Sequence, residues 1–267
     1  MMGLVDYHVH TAYCGHAEGE MEDYVRTALD MGLAGMGFCD HFPLLHRQDP
    51  SLTMPREDLP RYVEDVLRLR ELFPELEILL GIEVDYLPGM MGEAVKLLEK
   101  YPFDYVMGAV HFLDEWGFDD PRYVEEFQRR DISQVWEEYF RLAEEAVESG
   151  IFDVFAHPDL VKKFGHFPPE LPVQLYQGFC EAAGRSGVVV EVSTAGLRKP
   201  VGEIYPSEEF LRMLCQQGVP VTLGSDAHRP SEVGYAFGEA LLLLRRAGYL
   251  EITGFRRRRR HSIPLPD

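Results

Sequence analysis

The segment Gly3-Leu4-Val5-Asp6-Tyr7-His8-Val9-His10 combines an apolar, strand-like run with two histidines spaced by two residues. In an extended chain, side chains at positions i and i+2 lie on the same face, so both imidazoles can reach one ion. Six further strand-like runs follow, at residues 35–39, 77–84, 104–110, 152–156, 188–192 and 219–223. Helical patterns separate them, and this alternation predicts a parallel sheet.

Seven of the ten histidines, together with two carboxylates, lie where a strand-like run stops or in the loop just after it. They are His8, His10, His16, His41, Glu83, His111, His157, Asp226 and His228. In a parallel barrel, the carboxyl ends of all strands open onto one face, where such enzymes place their chemistry. A glutamate inside an apolar strand, as at position 83, is costly to bury unless cations compensate it. The sequence therefore predicts a multinuclear metal site, and its imidazole-rich ligands favour Zn, Fe or Mn over Mg and Ca.

The helical patterns occupy residues 21–31, 56–72, 132–149, 172–185, 207–217 and 231–247. Ser207, followed by two glutamates, predicts a helix start capped by the serine hydroxyl. Glycines follow four of the patterns, where a left-handed residue is favoured; they are Gly150, Gly187, Gly218 and Gly248. Because every strand end must reach one site, a closed or nearly closed barrel explains the strand–helix units better than an open sheet. We therefore predict a single α/β domain over residues 1–267.

The net charge of −19 argues against nucleic acid as a non-specific partner, because binding the phosphate backbone needs a positive face. Five consecutive arginines occupy residues 256–260, and we interpret residues 256–267 as a solvated basic C-terminal segment. A docking tail or an RNA patch is the alternative interpretation. The absence of a long apolar run and of a signal-peptide pattern favours a cytoplasmic protein without a membrane partner. The four cysteines form no CxxC pair and are expected to be free thiols.

The metal motifs resemble those of the polymerase-and-histidinol-phosphatase (PHP) superfamily. An H-x-H pair with a downstream histidine, an Asp-His after the second strand, a histidine after the fourth and a terminal D-x-H occur here in that order. The resemblance runs through nearly the whole chain and implies a distorted (β/α)7 barrel with up to three metal ions. Within the superfamily, residues 111–119 (HFLDEWGFD), 157–164 (HPDLVKKF) and 193–207 (STAGLRKPVGEIYPS) resemble histidinol-phosphate phosphatases of the HisJ type.

The resemblance also implies how the ligands divide among three divalent ions. The implied ligands of the first ion are His8, His10, Glu83 and Asp226. The second ion would be held by Glu83, as a bridge, with His111 and His157. The third would be held by His16, His41 and His228. No ligand position is missing, so a loss of metal is not indicated.

The implied reaction is hydrolysis of L-histidinol phosphate to L-histidinol and phosphate in histidine biosynthesis, with a hydroxide that bridges two ions as the nucleophile. Arg198 is predicted to neutralise phosphate oxygens, because its planar fork donates two parallel hydrogen bonds. Ser193 and Thr194 lie in the same loop and are predicted substrate contacts, or else hydroxyls that bond their own backbone. Asp226 or His228 could assist the leaving group, although both are also predicted ligands.

Other polar residues are candidates for reading the substrate. Lys162 and Lys163 could contact the phosphate or point outward. Glu115, with Asp114 and Asp119 in the same loop, could meet the ammonium group or remain a solvated loop charge.

Three other functions remain open at this point. A PHP-type nucleotide or oligonucleotide phosphoesterase fits the metal motifs, but no second domain or positive face supports it. An amidohydrolase-like barrel often carries a carbamylated lysine at a central strand end, and no lysine occupies such a position in this sequence. A non-catalytic metal-binding regulatory module would not need a complete ligand set. The expected partner is a small-molecule phosphate ester, and the oligomeric state is not predicted.

Overall fold

The computed structural model describes residues 3–266; residues 1–2 and 267 of the predicted domain lie outside the described residues. Its strands are β1 (Val5–Val9), β2 (Gly35–His41), β3 (Glu77–Asp85), β4 (Met107–Ala109), β5 (Phe112–Leu113), β6 (Trp116–Gly117), β7 (Val154–Phe155), β8 (Val189–Ser193), β9 (Val221–Gly224), β10 (Glu251–Arg256) and β11 (Arg259–Pro264). Seven of them form one parallel sheet in the order β1-β2-β3-β4-β7-β8-β9. All seven overlap the runs predicted from the sequence.

The first and last strands of this sheet approach each other at their carboxyl ends. The His10 amide donates to the Ala227 carbonyl at 2.9 Å, and the Ala227 amide donates to the His8 carbonyl at 3.1 Å. These bonds bring the sheet round into a nearly closed barrel, which confirms the predicted distorted (β/α)7 architecture. We call the end that holds the carboxyl ends of these strands the mouth, and the opposite end the base.

Seven α-helices within the described residues connect the strands. They are α1 (Met21–Asp30), α2 (Leu59–Leu72), α3 (Met91–Leu98), α4 (Ile132–Glu148), α5 (Val173–Ser186), α6 (Glu208–Gln216) and α7 (Phe237–Ala247). All except the short α3 were predicted, and the four predicted glycines after helices have positive φ. The predicted cap is wrong, because the Ser207 hydroxyl makes no capping bond. The Ser207 amide instead donates to Asp159 Oδ2 at 2.9 Å.

Aromatic side chains fill the barrel near its base. Tyr105 is fully buried, and its hydroxyl donates to the Tyr7 carbonyl at 2.5 Å. Gly37 and Gly81 leave room for this ring, because a Cβ at either position would collide with it. The Phe255 ring lies 5.7 Å from the Tyr105 ring and closes the core from below. The base is therefore tightly packed.

The arginine-rich segment is a β-hairpin rather than a simple solvated tail. Strands β10 and β11 pair in antiparallel register, and Arg257 and Arg258 form the turn with positive φ. The Arg257 amide donates to Asp104 Oδ1 at 3.1 Å, and Arg258 Nε lies 2.8 Å from Asp153 Oδ2. The arginine side chains remain exposed, as expected, but their backbone closes the base of the barrel. This corrects the interpretation of residues 256–267.

Two further observations concern the cysteines and the helices. All four cysteines are free, as predicted. Among residues 3–266, no helix has both the length and the apolar character needed to cross a membrane.

Candidate metal centre

Glu83 lies at the centre of the mouth, where it is 1% exposed and faces five histidines, including His10 with Nε2 3.7 Å from Glu83 Oε2. Its Oε1 is 3.0 Å from His157 Nε2 and 3.7 Å from His111 Nε2. Its Oε2 is 2.9 Å from His41 Nδ1 and 3.4 Å from His8 Nε2. One carboxylate on β3 thus contacts side chains from four other parts of the barrel. This arrangement suits a ligand shared between neighbouring ions.

Asp226 occupies a similar position on the other side of the cluster. Its Oδ1 is 3.1 Å from His10 Nε2, 3.5 Å from His228 Nδ1 and 3.9 Å from His8 Nε2. The Nε2 atoms of His228 and His16 lie 3.0 Å apart. All nine predicted ligands therefore converge at the mouth.

Polar partners outside the cluster fix the orientation of its imidazoles. In five rings Nδ1 contacts an oxygen, which directs Nε2 towards the other predicted ligands. The five pairs are His8 with Glu191 (2.7 Å), His10 with Asp40 (3.4 Å), His111 with Asp85 (2.9 Å), His16 with the Cys14 carbonyl (3.0 Å) and His228 with the Asp226 carbonyl (3.1 Å). Histidine ligands of metal ions commonly show this pattern, since the outer bond sets the tautomer and leaves the inner lone pair free.

Several inward-facing atoms are buried without a hydrogen-bond partner. They include His8 Nε2, His10 Nε2 and Glu83 Oε2. Leaving such atoms unsatisfied costs about 1–3 kcal/mol each, so each demands an explanation. Bound cations would satisfy all of them at once, and imidazole with carboxylate is a donor set that suits transition metals. The residues therefore fit a metal centre.

The electrostatics of the cluster also favour bound cations. Burial alone would raise the pKa of Glu83, but the charges of His8 and other histidines hold it well below its usual range. Burial, followed by charge on His41, lowers the pKa of His16 to about 4. The carboxylate is thus charged and the imidazole neutral near neutral pH, which are the forms that bind a metal ion.

His8 behaves differently from His16. Burial lowers its pKa, but the charge of Glu191 and then that of Glu83 raise it well above the ordinary value. The same negative field that holds a proton on His8 attracts a metal ion, which would displace that proton.

Among the described residues, five groups of side chains have ligand atoms close enough to share an ion, and three of these groups contain only predicted ligands. They are His8–His10–Asp226, His41–Glu83–His111 and His10–His41–His228, each with all ligand atoms within 4.8 Å of one another. The first group contains three of the four ligands implied for the first ion, whereas each of the other two groups combines ligands implied for different ions. Two of the ligands are also backbone outliers, since His157 has φ 26° and Asp226 has φ 52°. Such strain in non-glycine residues is typical of functional sites.

A cavity of about 640 Å³ opens above the cluster. Basic side chains share its wall with the predicted ligands, among them Lys163, Lys199, Arg122 and Arg229. Asp119 and Tyr205 also line it, and Asp119 Oδ2 lies 3.0 Å from Lys163 Nζ. The cavity can therefore receive a small molecule directly over the predicted metal ligands and beside these basic side chains.

Comparison with known proteins establishes the family. The model of the PHP domain matches residues 6–195 of this chain. The chain belongs to the PHP family. It is 42% identical to a protein named "Probable histidinol-phosphatase" from Deinococcus radiodurans, over 97% of this chain and 99% of that relative. It is 29% identical to the histidinol-phosphatase of Bacillus subtilis, over 89% of this chain and 97% of that protein.

A solved structure shares the fold. The histidinol phosphate phosphatase of Lactococcus lactis, in complex with zinc, L-histidinol and phosphate, superposes with a TM-score of 0.82 at 20% identity. The match covers 98% of this chain and all of that one. This likeness agrees with the barrel of the PHP family described above.

Some of the predicted substrate contacts of this PHP protein line the cavity, and others lie elsewhere. Lys163 lines the cavity, but Arg198 does not. Arg198 donates instead to the carbonyls of Ser225 and Asp226, at 2.8 and 3.0 Å. It supports the loop that carries the predicted ligand Asp226.

Ser193 and Thr194 are also buried outside the cavity lining. The Ser193 hydroxyl accepts a bond from the Ala195 amide at 3.4 Å and so begins a short 3-10 turn. For Ser193, this is the backbone-bonding alternative considered from the sequence.

Lys162 and Glu115 lie away from the predicted substrate position. Lys162 is fully buried, with Nζ 2.8 Å from Asp159 Oδ2 and 3.0 Å from Glu203 Oε2, so its charge is already neutralised. Glu115 is exposed in the turn between β5 and β6 and is not part of the cavity lining. Of the three acidic residues considered from the sequence, Asp119, which follows β6, lines the cavity, as does the neighbouring Asp120.

The sequence analysis missed several residues that build this PHP site. Glu191 is fully buried, and besides contacting His8 its Oε2 accepts the His157 amide at 2.8 Å. Asp6 accepts bonds from the Ser225 amide and hydroxyl at 2.9 and 2.5 Å and thereby fixes the loop before Asp226. The sequence could have indicated Glu191 and Asp6, because each is a carboxylate inside an apolar strand and is as costly to bury as Glu83.

Proposed function

We propose that this PHP-family protein is a metal-dependent phosphatase that hydrolyses L-histidinol phosphate to L-histidinol and phosphate, a reaction of histidine biosynthesis. The observation that carries the proposal is the convergence of nine ligand side chains, with unpartnered inner atoms, beneath a cavity of about 640 Å³. The full-length relationship to proteins named histidinol-phosphatase supports the choice of substrate. Proteins related at 42% identity over nearly their whole length commonly share a reaction class.

The proposed cofactors are three divalent ions of Zn, Fe or Mn. We assign His8, His10, Glu83 and Asp226 to the first ion, Glu83, His111 and His157 to the second, and His16, His41 and His228 to the third. When bound, such ions lower the pKa of coordinated water and polarise phosphoryl oxygens. The protein would fix the ligand geometry, because the outer hydrogen bonds of the imidazoles set the tautomer and the orientation of each ring.

The cavity wall supplies groups for both ends of the substrate. Lys199 would pair with the phosphate, and Lys163 would do so in exchange for its ion pair with Asp119, which the substrate's ammonium would replace. Burial raises the pKa of Asp119, but the nearby Lys163 ammonium outweighs this and brings it to about 2, so the carboxylate stays charged. Asp119 is therefore the acidic group we propose to meet the substrate's ammonium. Arg198 would act through the Asp226 loop, while Asp226 and His228 remain the proposed helpers of leaving-group departure.

A comparison of substrates tests this proposal. Protein loaded with zinc or manganese should release phosphate from L-histidinol phosphate with a kcat/KM at least about 10²-fold above that for nucleotides or p-nitrophenyl phosphate, since a site built for specific polar groups rejects analogues that lack them. Equal rates on all three would remove the substrate assignment. Faster hydrolysis of nucleotides would favour the PHP-type nucleotide phosphoesterase instead.

A matched variant separates the protein's activity from that of a contaminating phosphatase. Glu83→Gln removes the central carboxylate with almost no change in volume, so it should lose the activity on every substrate. Residual activity equal to the unaltered protein would show that the phosphate release has another source. The cytoplasmic location and the absence of a nucleic-acid partner remain predictions.

A further inference from the structure

Tyr205 lies in the wall of the cavity, and its hydroxyl has no hydrogen-bond partner. The side chain is 1% exposed, although most buried tyrosine hydroxyls in proteins find a partner. By contrast, the buried Tyr249 hydroxyl at the other end of the barrel donates to the Val219 carbonyl at 2.9 Å. The unpartnered phenol of Tyr205 is therefore a feature that folding alone does not explain.

Its surroundings hold the Tyr205 ring in one position. The backbone pairs with that of Ser193 through two hydrogen bonds of 2.7 and 3.0 Å at the end of β8. A Cβ at position 196 would lie only 3.0 Å from the ring, so Gly196 permits this close packing. The His157 ring lies at 6.4 Å, edge to face, and Lys162 Nζ lies 5.4 Å from the ring centroid. A hydroxyl held in this way is oriented before any ligand arrives.

The Tyr205 hydroxyl can act as a hydrogen-bond donor, because a tyrosine phenol, with an ordinary pKa of about 10, is protonated at neutral pH. An anionic oxygen is the acceptor that gains most from such a donor in a buried site.

We propose that Tyr205 Oη donates a hydrogen bond to an anionic oxygen of the substrate's phosphate group. The metal ligand His157, beside the ring, and the basic residues Lys163 and Lys199, in the same cavity wall, place the phosphate in this part of the site. The proposal rests on the proposed phosphatase function for the identity of the phosphate ester. It adds a neutral donor to the groups that bind the phosphate.

The test is Tyr205→Phe, with Tyr249→Phe as the matched control. Tyr205→Phe should weaken the binding of inorganic phosphate to zinc-loaded protein in calorimetric titration by about 10- to 100-fold, the range for a hydrogen bond to a charged group. The kcat/KM for L-histidinol phosphate should fall by a similar factor, while the zinc content is unchanged and the Tm is equal or higher. Tyr249→Phe should lower the Tm and leave phosphate binding intact, because it removes a bond that the folded protein already makes.

The two readouts distinguish this proposal from the proposed function. If phosphate binds the unaltered protein and Tyr205→Phe equally well, or binds neither, the assignment of Tyr205 is overturned. If Tyr205→Phe weakens phosphate binding but the unaltered protein does not hydrolyse L-histidinol phosphate, the substrate assignment fails and the role of Tyr205 stands.

Discussion

The mouth and the base of the barrel both contain buried side chains, yet they are chemically opposite. The mouth gathers imidazoles and carboxylates whose inner atoms lack partners, as at His8, His10 and Glu83. The base holds aromatic rings whose polar atoms are satisfied, as where Tyr105 donates to the Tyr7 carbonyl. The same strands build both ends. Residues at the base therefore stabilise the fold, whereas residues at the mouth form the candidate site. Substitutions at the two ends should have different effects.

Strand β3 shows the difference within nine residues. Glu77 begins it at the base, where Arg256 Nε lies 3.6 Å away and the side chain is 37% exposed. Glu83 lies near its other end, where it is 1% exposed among histidines. Two glutamates on one strand thus have opposite surroundings, which provides a matched pair for mutation.

The largest expected effect follows from Glu83→Gln. Metal ions contribute several kcal/mol to stabilising charge in the transition state, and each 1.36 kcal/mol is tenfold in rate, so kcat/KM should fall by at least about 10³-fold. The zinc content, measured by mass spectrometry, should fall as well. Glu77→Gln should change neither quantity measurably. If both variants bind zinc as the unaltered protein does, the proposed role of Glu83 as a shared ligand is wrong.

Phe255→Ala tests the base. The side chain is fully buried against the Tyr7 and Tyr105 rings, so its loss should lower the free energy of unfolding by about 3–5 kcal/mol in urea denaturation. Zinc content and kcat/KM per folded molecule should stay unchanged, because the mouth keeps its ligands. Phe255→Leu should give a smaller loss of the same kind. A drop in zinc affinity as large as the drop in stability would contradict the division between the two ends.

The sequence was sufficient to predict the barrel and the convergence of the nine candidate ligands, because both follow from short-range patterns. Apolar runs mark the strands, and polar residues at their carboxyl ends must meet in a parallel barrel. The short α3 was not predicted, because eight residues show too little helical periodicity. Strand β4 is shorter than predicted and covers only Met107–Ala109 of residues 104–110. The arginine hairpin escaped because charge dominated the pattern, whereas its backbone is fixed by Asp104, which is remote in the sequence.

Substrate contacts could not be predicted to the residue, and two adjacent pairs show why. Lys162 is buried in ion pairs while Lys163 lines the cavity, and Arg198 bonds the Asp226 loop while Lys199 lines the cavity. Neighbours in a loop point in different directions, and the direction depends on φ and ψ values that composition does not determine. Residue type therefore indicated which loops reach the cavity, but not which of their side chains line it.

A smaller effect is expected from Glu191→Gln, which tests how the mouth is kept in order. Glu191 contacts both His8 and the His157 amide, and Gly224 makes room for it, since a Cβ there would collide with Glu191 Oε1. Outer partners of metal ligands typically change metal affinity by 10- to 100-fold, so the zinc dissociation constant should rise by about that factor. Thr222→Val, at the paired position of β9, should leave zinc binding unchanged. Equal zinc affinity in both variants would make Glu191 a purely structural residue.

The smallest effect is expected at the exposed edge of the base. Arg258 Nε lies 2.8 Å from Asp153 Oδ2, but the arginine side chain is 47% exposed, so solvent and salt screen the pair. Arg258→Ala should lower the free energy of unfolding by no more than about 1 kcal/mol, and by less at 1 M salt. The hairpin should persist, because the Arg258 amide still donates to the Asp104 carbonyl at 2.7 Å. A loss as large as that of Phe255→Ala, or any loss of zinc, would mean that the hairpin's charges and not its buried Phe255 hold the base closed.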